Sequence, residues 1–166
     1  MGEMDDPKRS GPAGPHRPPR LWTVGEANGR LDPLREQLPE LRAWAMRLGK
    51  VHEEIERLRA FWGREVDAVD NPDRELRERL EAEWKRLGAR LEHEVLELRS
   101  DGIEIKDLGS GLVDFYARID GEIVFLCWQR DEDFVNHWHR LSGGYRTRQR
   151  LEGAAGADHH RVPHGI

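Results

Sequence analysis

The chain has 166 residues, a hydrophobic fraction of 37%, a charged fraction of 36% and a formal net charge of -5. Average globular proteins stand nearer about 45–50% apolar and about 25% charged, so this balance suits long solvated helices better than an all-β body. An acidic chain of pI about 5.9 carries no global field for nucleic acid or an anionic membrane, and its length suffices for one domain with a core.

Residues 1–20 hold five prolines and three glycines with almost nothing apolar, which predicts a disordered tail. From Leu21 the pattern changes. Thr23 followed by Glu26 reads as a capping box that satisfies the first free N–H groups of a helix. This helix is expected to end near Leu31, because Asp32-Pro33 looks like a new cap with proline at the first helical position. A long apolar stripe then runs from Leu34 through Leu38, Leu41, Trp44, Leu48, Val51, Ile55, Leu58, Trp62 and Val66 to Val69, in steps of three and four. Pro39 should kink or restart it, and Gly49 and Gly63 should weaken it. Asn71-Pro72-Asp73 is the turn and the next cap. A second helix follows with Leu76, Leu80, Trp84, Leu87, Leu91, Val95 and Leu98, closed by Asp101-Gly102. A connection this short makes the two helices antiparallel neighbours.

After Gly102 the apolar period drops to two. Ile103–Ile105 reads as a short strand, 112–119 and 122–129 as strands joined by Asp120-Gly121, and Phe134 to Arg140 as a fourth extended segment. A two-residue type I′ turn fixes the register: Ile119 faces Glu122, Ala117 faces Val124, Phe115 faces Leu126 and Val113 faces Trp128, all on one apolar side. The other side then sets Asp114 opposite Cys127, with Tyr116 beside Phe125.

That pair draws attention because Cys127 is the only cysteine. Asp114 and Cys127 have the chemistry of metal ligands, and His137 and His139, two apart on a strand, point to one side and supply nitrogen donors. The divalent-metal set is therefore Asp114, Cys127, His137 and His139. A nucleophilic Cys127 is disfavoured by its acidic neighbour, which raises a thiol pKa; a small buried cysteine beside a structural aspartate accounts for the same residues. Arg140, Arg146, Arg148 and Arg150, with Tyr145 and Gly143-Gly144, form a basic loop suited to a small anionic ligand. His159, His160 and His164 sit in a second tail, expected to be disordered over 151–166. Neither His52 nor His93 has the Glu-x-x-His or His-Glu-x-x-His spacing, and Gly109-Ser110-Gly111 lacks the third glycine of a dinucleotide loop. A lone cysteine and the absence of a long apolar run point to a cytoplasmic protein without membrane spans.

LWTVGEAN at the start of the fold, IEIKDLGSGLVDFYA, EIVFLCW, Trp138-His139 and the glycine-arginine ending together resemble a bacterial family, the domain of unknown function 2203. The resemblance runs from about Leu21 to Arg150. Its pattern falls on Glu26, Ala27, Asn28, Lys106, Asp107, Gly111, Val113, Asp114, Phe115, Gly121, Cys127, Trp128, Trp138, His139, Gly144 and Arg148. Thr147 stands where the family's closing segment carries glycine before arginine. The resemblance implies a small cytosolic protein and no particular reaction.

The expected fold is α+β: one domain over 21–150, with a long antiparallel helical hairpin over about 23–100 and a small antiparallel β-meander over about 103–141 packed at one end. A helix from Pro33 to about Val69 would be roughly 55 Å long, against about 26 Å for an eight-residue strand. The sheet cannot cover the whole seam, so a homodimer through the helices is expected. The expected function is a non-enzymatic ligand-binding or assembly module, with Lys106, Asp107, Asp114, Cys127, Trp138, His139 and Arg148 lining a polar site. The alternatives are a metal-dependent hydrolase using Asp114, Cys127 and His139 with Asp107 as general base, and a purely structural protein.

Overall fold

A computed structural model describes residues 20–151. The tail segments 1–19 and 152–166, and with them His159, His160 and His164, lie outside the described residues. The architecture is α+β, as the sequence predicts: α1 (Val24–Trp62) and α2 (Arg74–Ser100) form the hairpin. After them β1 (Ile103–Asp107), β2 (Leu112–Ile119), β3 (Glu122–Gln129), β4 (His137–Arg140) and β5 (Gln149–Arg150) pair in sequence order, every neighbour antiparallel. Among the described residues, no helix is long and apolar enough to cross a membrane.

Helix α1 starts as expected. The Thr23 backbone N–H donates to the Glu26 carboxylate at 2.9 Å and the Glu26 N–H donates to the Thr23 hydroxyl at 3.2 Å. The expected break at Asp32-Pro33 is absent, and α1 runs unbroken through both Pro33 and Pro39. Each ring nitrogen removes one bond to the preceding turn, a penalty of about 3 kcal/mol. Leu31, Leu34, Leu38 and Leu41, however, are all fully buried along this stretch, at about 1.5–3 kcal/mol apiece. Asp32 caps nothing and instead pairs with Arg35 at 2.7 Å. At the other end the helix stops at Trp62, short of Val69, because Gly63 turns to φ +54° and the chain continues as a 3-10 turn over Gly63–Asp67.

Asn71 forms the turn, its side chain accepting from the Asp73 N–H at 2.8 Å, but the expected cap is absent: the Asp73 carboxylate caps no N–H of α2 and accepts instead from the Trp62 indole at 2.9 Å. Arg47 grips Glu83 through two bonds of 2.7 and 2.9 Å, and Arg59 reaches Glu81 at 3.2 Å, lacing the hairpin along its exposed flanks. Gly102, at φ +75°, ends α2 where a Cβ would lie 2.2 Å from the Arg20 carbonyl oxygen, so only glycine fits.

The β2–β3 register is the expected one at every position, from Ile119 opposite Glu122 to Val113 opposite Trp128. Asp120 at φ 49° and Gly121 at φ 84° supply the two left-handed residues that a type I′ turn needs. Val113, Phe115, Ala117, Val124, Leu126 and Trp128 pack with Trp22, Leu31, Leu34, Leu38, Leu41 and Leu98 in the main core. The β3–β4 connection is tied to α1, with the Val135 N–H donating to the Asn28 side chain at 2.8 Å and Arg35 donating to the Asp133 carbonyl at 2.7 Å. β5 extends the sheet beyond the expected limit near 141. Leu151 is buried and its N–H donates to the Asn136 carbonyl at 3.0 Å.

Candidate functional site

Strand alternation that sends Val113, Phe115, Leu126 and Trp128 to the helices sends their neighbours to the outward face. Direct pairings align Glu104, Asp114, Cys127, His137 and Arg150 across the five strands, and the next row sets Tyr116, Phe125 and His139 side by side. An outward face of an antiparallel sheet is ordinarily wet. Here Asp114, Phe125, Cys127 and His139 are all buried, Asp114 with only 1% exposure.

The centre of this face is an Asp–Cys–His cluster. His139 Nε2 lies 3.1 Å from Asp114 Oδ2, while the opposite ring nitrogen, Nδ1–H, donates to the Arg140 carbonyl at 2.8 Å. Both neighbours of the imidazole are oxygen atoms, a carbonyl on one side and a carboxylate on the other. The other oxygen, Asp114 Oδ1, accepts from no N–H or O–H donor, and the Cys127 thiol is the weak donor beside the carboxylate. One donor atom from each of Asp114, Cys127 and His139 fits within a mutual 4.8 Å.

Two cations border the cluster, each held by its own acid. Lys106 bonds to Glu104, stands 4.4 Å above the Phe125 ring and keeps its Nζ 3.9 Å from Asp114 Oδ2. Glu104 also accepts from the Tyr116 hydroxyl at 2.6 Å. Arg148 turns back from the C-terminal loop with Nη1 2.8 Å from Glu132 Oε1 and its guanidinium 4.0 Å from the Tyr145 ring centroid. His137 Nδ1 approaches the same Glu132 oxygen at 3.4 Å.

Burial pushes the Asp114 carboxyl up from its usual range, against the pull of His139, a hydrogen bond from the Cys127 thiol and the charge of Lys106. Burial, then the Asp114 charge, pushes the Cys127 thiol up to about 12, with Arg148 opposing. Glu104 is also partly desolvated, but its bonds from Lys106 and Tyr116 outweigh that and hold it low. A thiol raised this far is no ready nucleophile at neutral pH.

Of the expected site residues, Lys106, Asp114, Cys127, His139 and Arg148 converge. Two do not. Asp107 lies past a bulge in β1, where its carboxylate accepts from the Gly109 and Ser110 N–H groups at 3.0 and 3.1 Å; it caps its own turn and cannot serve as the expected general base at Asp114. Trp138 points to the helix side and packs against the core. His137, expected among the metal ligands, shares the face but stands with Glu132 outside the three-residue cluster. Nor do the loop arginines gather into one anion cradle: Arg140 pairs with Glu122 at 3.8 Å while Arg148 pairs with Glu132. Glu104, Tyr116 and Glu132 were not anticipated. Glu104 is reached only through the β1–β2 pairing, which no short turn specifies, and Glu132 sits in a plain acidic run, Asp131-Glu132-Asp133.

Residues 20–151 match the family model described as Uncharacterized conserved protein (DUF2203), and the chain belongs to that family, in line with the resemblance read from its motifs. No curated protein and no solved structure matches the chain.

Proposed function

We propose that this family member is a non-enzymatic binding module that holds a polar ligand on the outward face of its sheet and assembles as a homodimer through its helical hairpin. The observation that carries the binding reading is Asp114 Oδ1, buried beside Cys127 and His139 and reached by no N–H or O–H donor, with only the weak thiol donor of Cys127 beside the carboxylate. An unsatisfied buried polar atom costs about 1–3 kcal/mol, more when charged. A sheet braced for stability alone has no use for such an atom, whereas a binding site needs an acceptor left vacant. The hydrolase alternative loses its general base, since Asp107 is committed to the Gly109-Ser110 turn. Support for the dimer comes from the hairpin seam, where Leu76 and Trp84 remain 38% and 41% exposed on the stripe that should be covered.

Native mass spectrometry of the full-length protein and of Asp114→Asn tests both parts. The expected spectrum is a dimer that carries a bound species in the wild type and loses it in Asp114→Asn while remaining dimeric. A monomer at micromolar concentration overturns the assembly, and an adduct equally retained by Asp114→Asn overturns the site.

A further inference from the structure

We infer that Asp114, Cys127 and His139 form a site for one thiophilic divalent cation of the zinc or cobalt(II) type, with a coordination position left for water or for a donor atom of a further ligand. The inference rests on the binding reading above and names the ligand class.

The donor set itself selects the metal. A thiol, an imidazole and one carboxylate suit a borderline-soft ion, whereas calcium and magnesium take six or more oxygen donors. Three protein ligands plus an open position is the arrangement of zinc sites that keep water or substrate on the metal. In such a site the donors stand roughly 3.3–3.8 Å apart, given bonds of about 2.0–2.3 Å. The present spread of up to 4.8 Å closes with side-chain movements of about 1 Å, within reach of one thiol and one carboxylate.

The surroundings already have the form of an outer shell. Metal-binding histidines characteristically give their second N–H to a carbonyl or carboxylate, which fixes the tautomer. His139 does so through Nδ1–H to the Arg140 carbonyl at 2.8 Å, and this turns Nε2 toward Asp114 and Cys127. Asp114 Oδ1 is buried with no N–H or O–H donor, and the Cys127 thiol beside it would itself be a ligand, so the oxygen is available to a cation. Lys106 is bonded to Glu104 with its Nζ 3.9 Å from Asp114 Oδ2, and Arg148 pairs with Glu132 while facing the Cys127 thiol, so neither bonds Asp114 Oδ1.

Charge also balances. A thiolate, a carboxylate and a neutral imidazole around M²⁺ sum to zero, the thiol proton having gone to solvent. A neutral product spares the buried face the large cost of a net charge.

The test is a cobalt(II) titration of the full-length chain with His159, His160 and His164 replaced by alanine, so that the tail cannot chelate. One equivalent should produce a near-ultraviolet thiolate-to-cobalt charge-transfer band, and zinc should abolish it by competition. Cys127→Ser should lose the band and weaken cobalt at least about 100-fold, beyond the usual effect of an outer-shell residue. His139→Gln, checked for a cooperative melt, should weaken it comparably, whereas His137→Ala should keep the band. A band that persists in Cys127→Ser, or no saturable band in the parent chain, overturns the metal. In the second case, an adduct in the native mass spectrum that Asp114→Asn removes leaves the binding reading intact and only the metal refuted. Absence of both refutes the two together.

Discussion

Leu38 and Ile55 lie on one continuous apolar stripe of α1, yet they live in different surroundings. At the base of the hairpin Leu38 is enclosed by the sheet, together with Trp22, Phe115, Leu126 and Trp128. At the far end Ile55 shares a cluster with only Val51, Leu80 and the half-buried Leu58, and Phe61, Val69, Leu76 and Trp84 stay exposed nearby. A helical stripe therefore states which side seeks cover without stating whether this chain provides it. The sheet covers the base, and it also sets its polar outward face there, so stability and the candidate site share one end of the molecule.

The largest expected effect tests that asymmetry directly. Phe115→Ala should cost about 3–5 kcal/mol, since it empties a fully enclosed position between sheet and helices. Ile55→Ala should fall near the low end, about 2 kcal/mol, because fewer neighbours surround it. Urea unfolding of both variants in dilute solution supplies the comparison. Equal losses would mean that the far end is as closely packed as the base.

A second difference concerns titration. The free thiol has a reference pKa of 9.0, and folding raises that of Cys127 to about 12, first by burial and then through Asp114. Between those values the folded state holds a proton that the unfolded chain releases. Stability from this source is complete below about 9 and declines as pH rises toward 12, with a slope approaching ~1.4 kcal/mol per pH unit. Tyr116, also raised to about 12 by its bond to Glu104 and by burial, titrates in the same interval. The useful quantity is thus wild type minus Cys127→Ala in metal-free protein, which should retain only the thiol's share. Parallel curves would show that the outward face of the base is as solvated as the exposed far end.

The sequence spoke most clearly where a short-range device dictates geometry. Asp120-Gly121 sets a two-residue turn, and from it every β2–β3 pairing follows, including Asp114 opposite Cys127. Thr23 and Glu26 mark the start of α1 in the same local manner. Where tertiary burial opposes a local preference, reading fails: Asp32-Pro33 looks like a cap, but four buried leucines hold the helix through it. Trp138 was legible and misplaced, since strand parity that turns His137 and His139 outward must turn the residue between them inward. β5 left no trace, because Gln149–Arg150 has no alternating pattern and its place depends on Leu151 being drawn under the sheet. Asp107 was displaced by the β1 bulge, which shifts register by one residue.

The smallest single-chain effect carries the most information about assembly. Trp84 is 41% exposed and its one ring neighbour is His52, with centroids 6.4 Å apart. Truncating a side chain that is still more than half covered should cost an isolated chain about 1 kcal/mol. If the far end is covered by a second copy, the same residue is interior, and a dimer gains stability with protein concentration by mass action. The wild-type Tm should then rise with concentration, and Trp84→Ala should flatten that rise while lowering the dilute Tm by only a few degrees. A wild-type Tm independent of concentration would leave Leu76 and Trp84 as solvent-facing residues of a monomer, and the contrast between the two ends would be a property of the single chain. A rise that Trp84→Ala does not touch would move the interface off this stripe, since burial across a two-fold axis must involve the apolar side chains left uncovered on it.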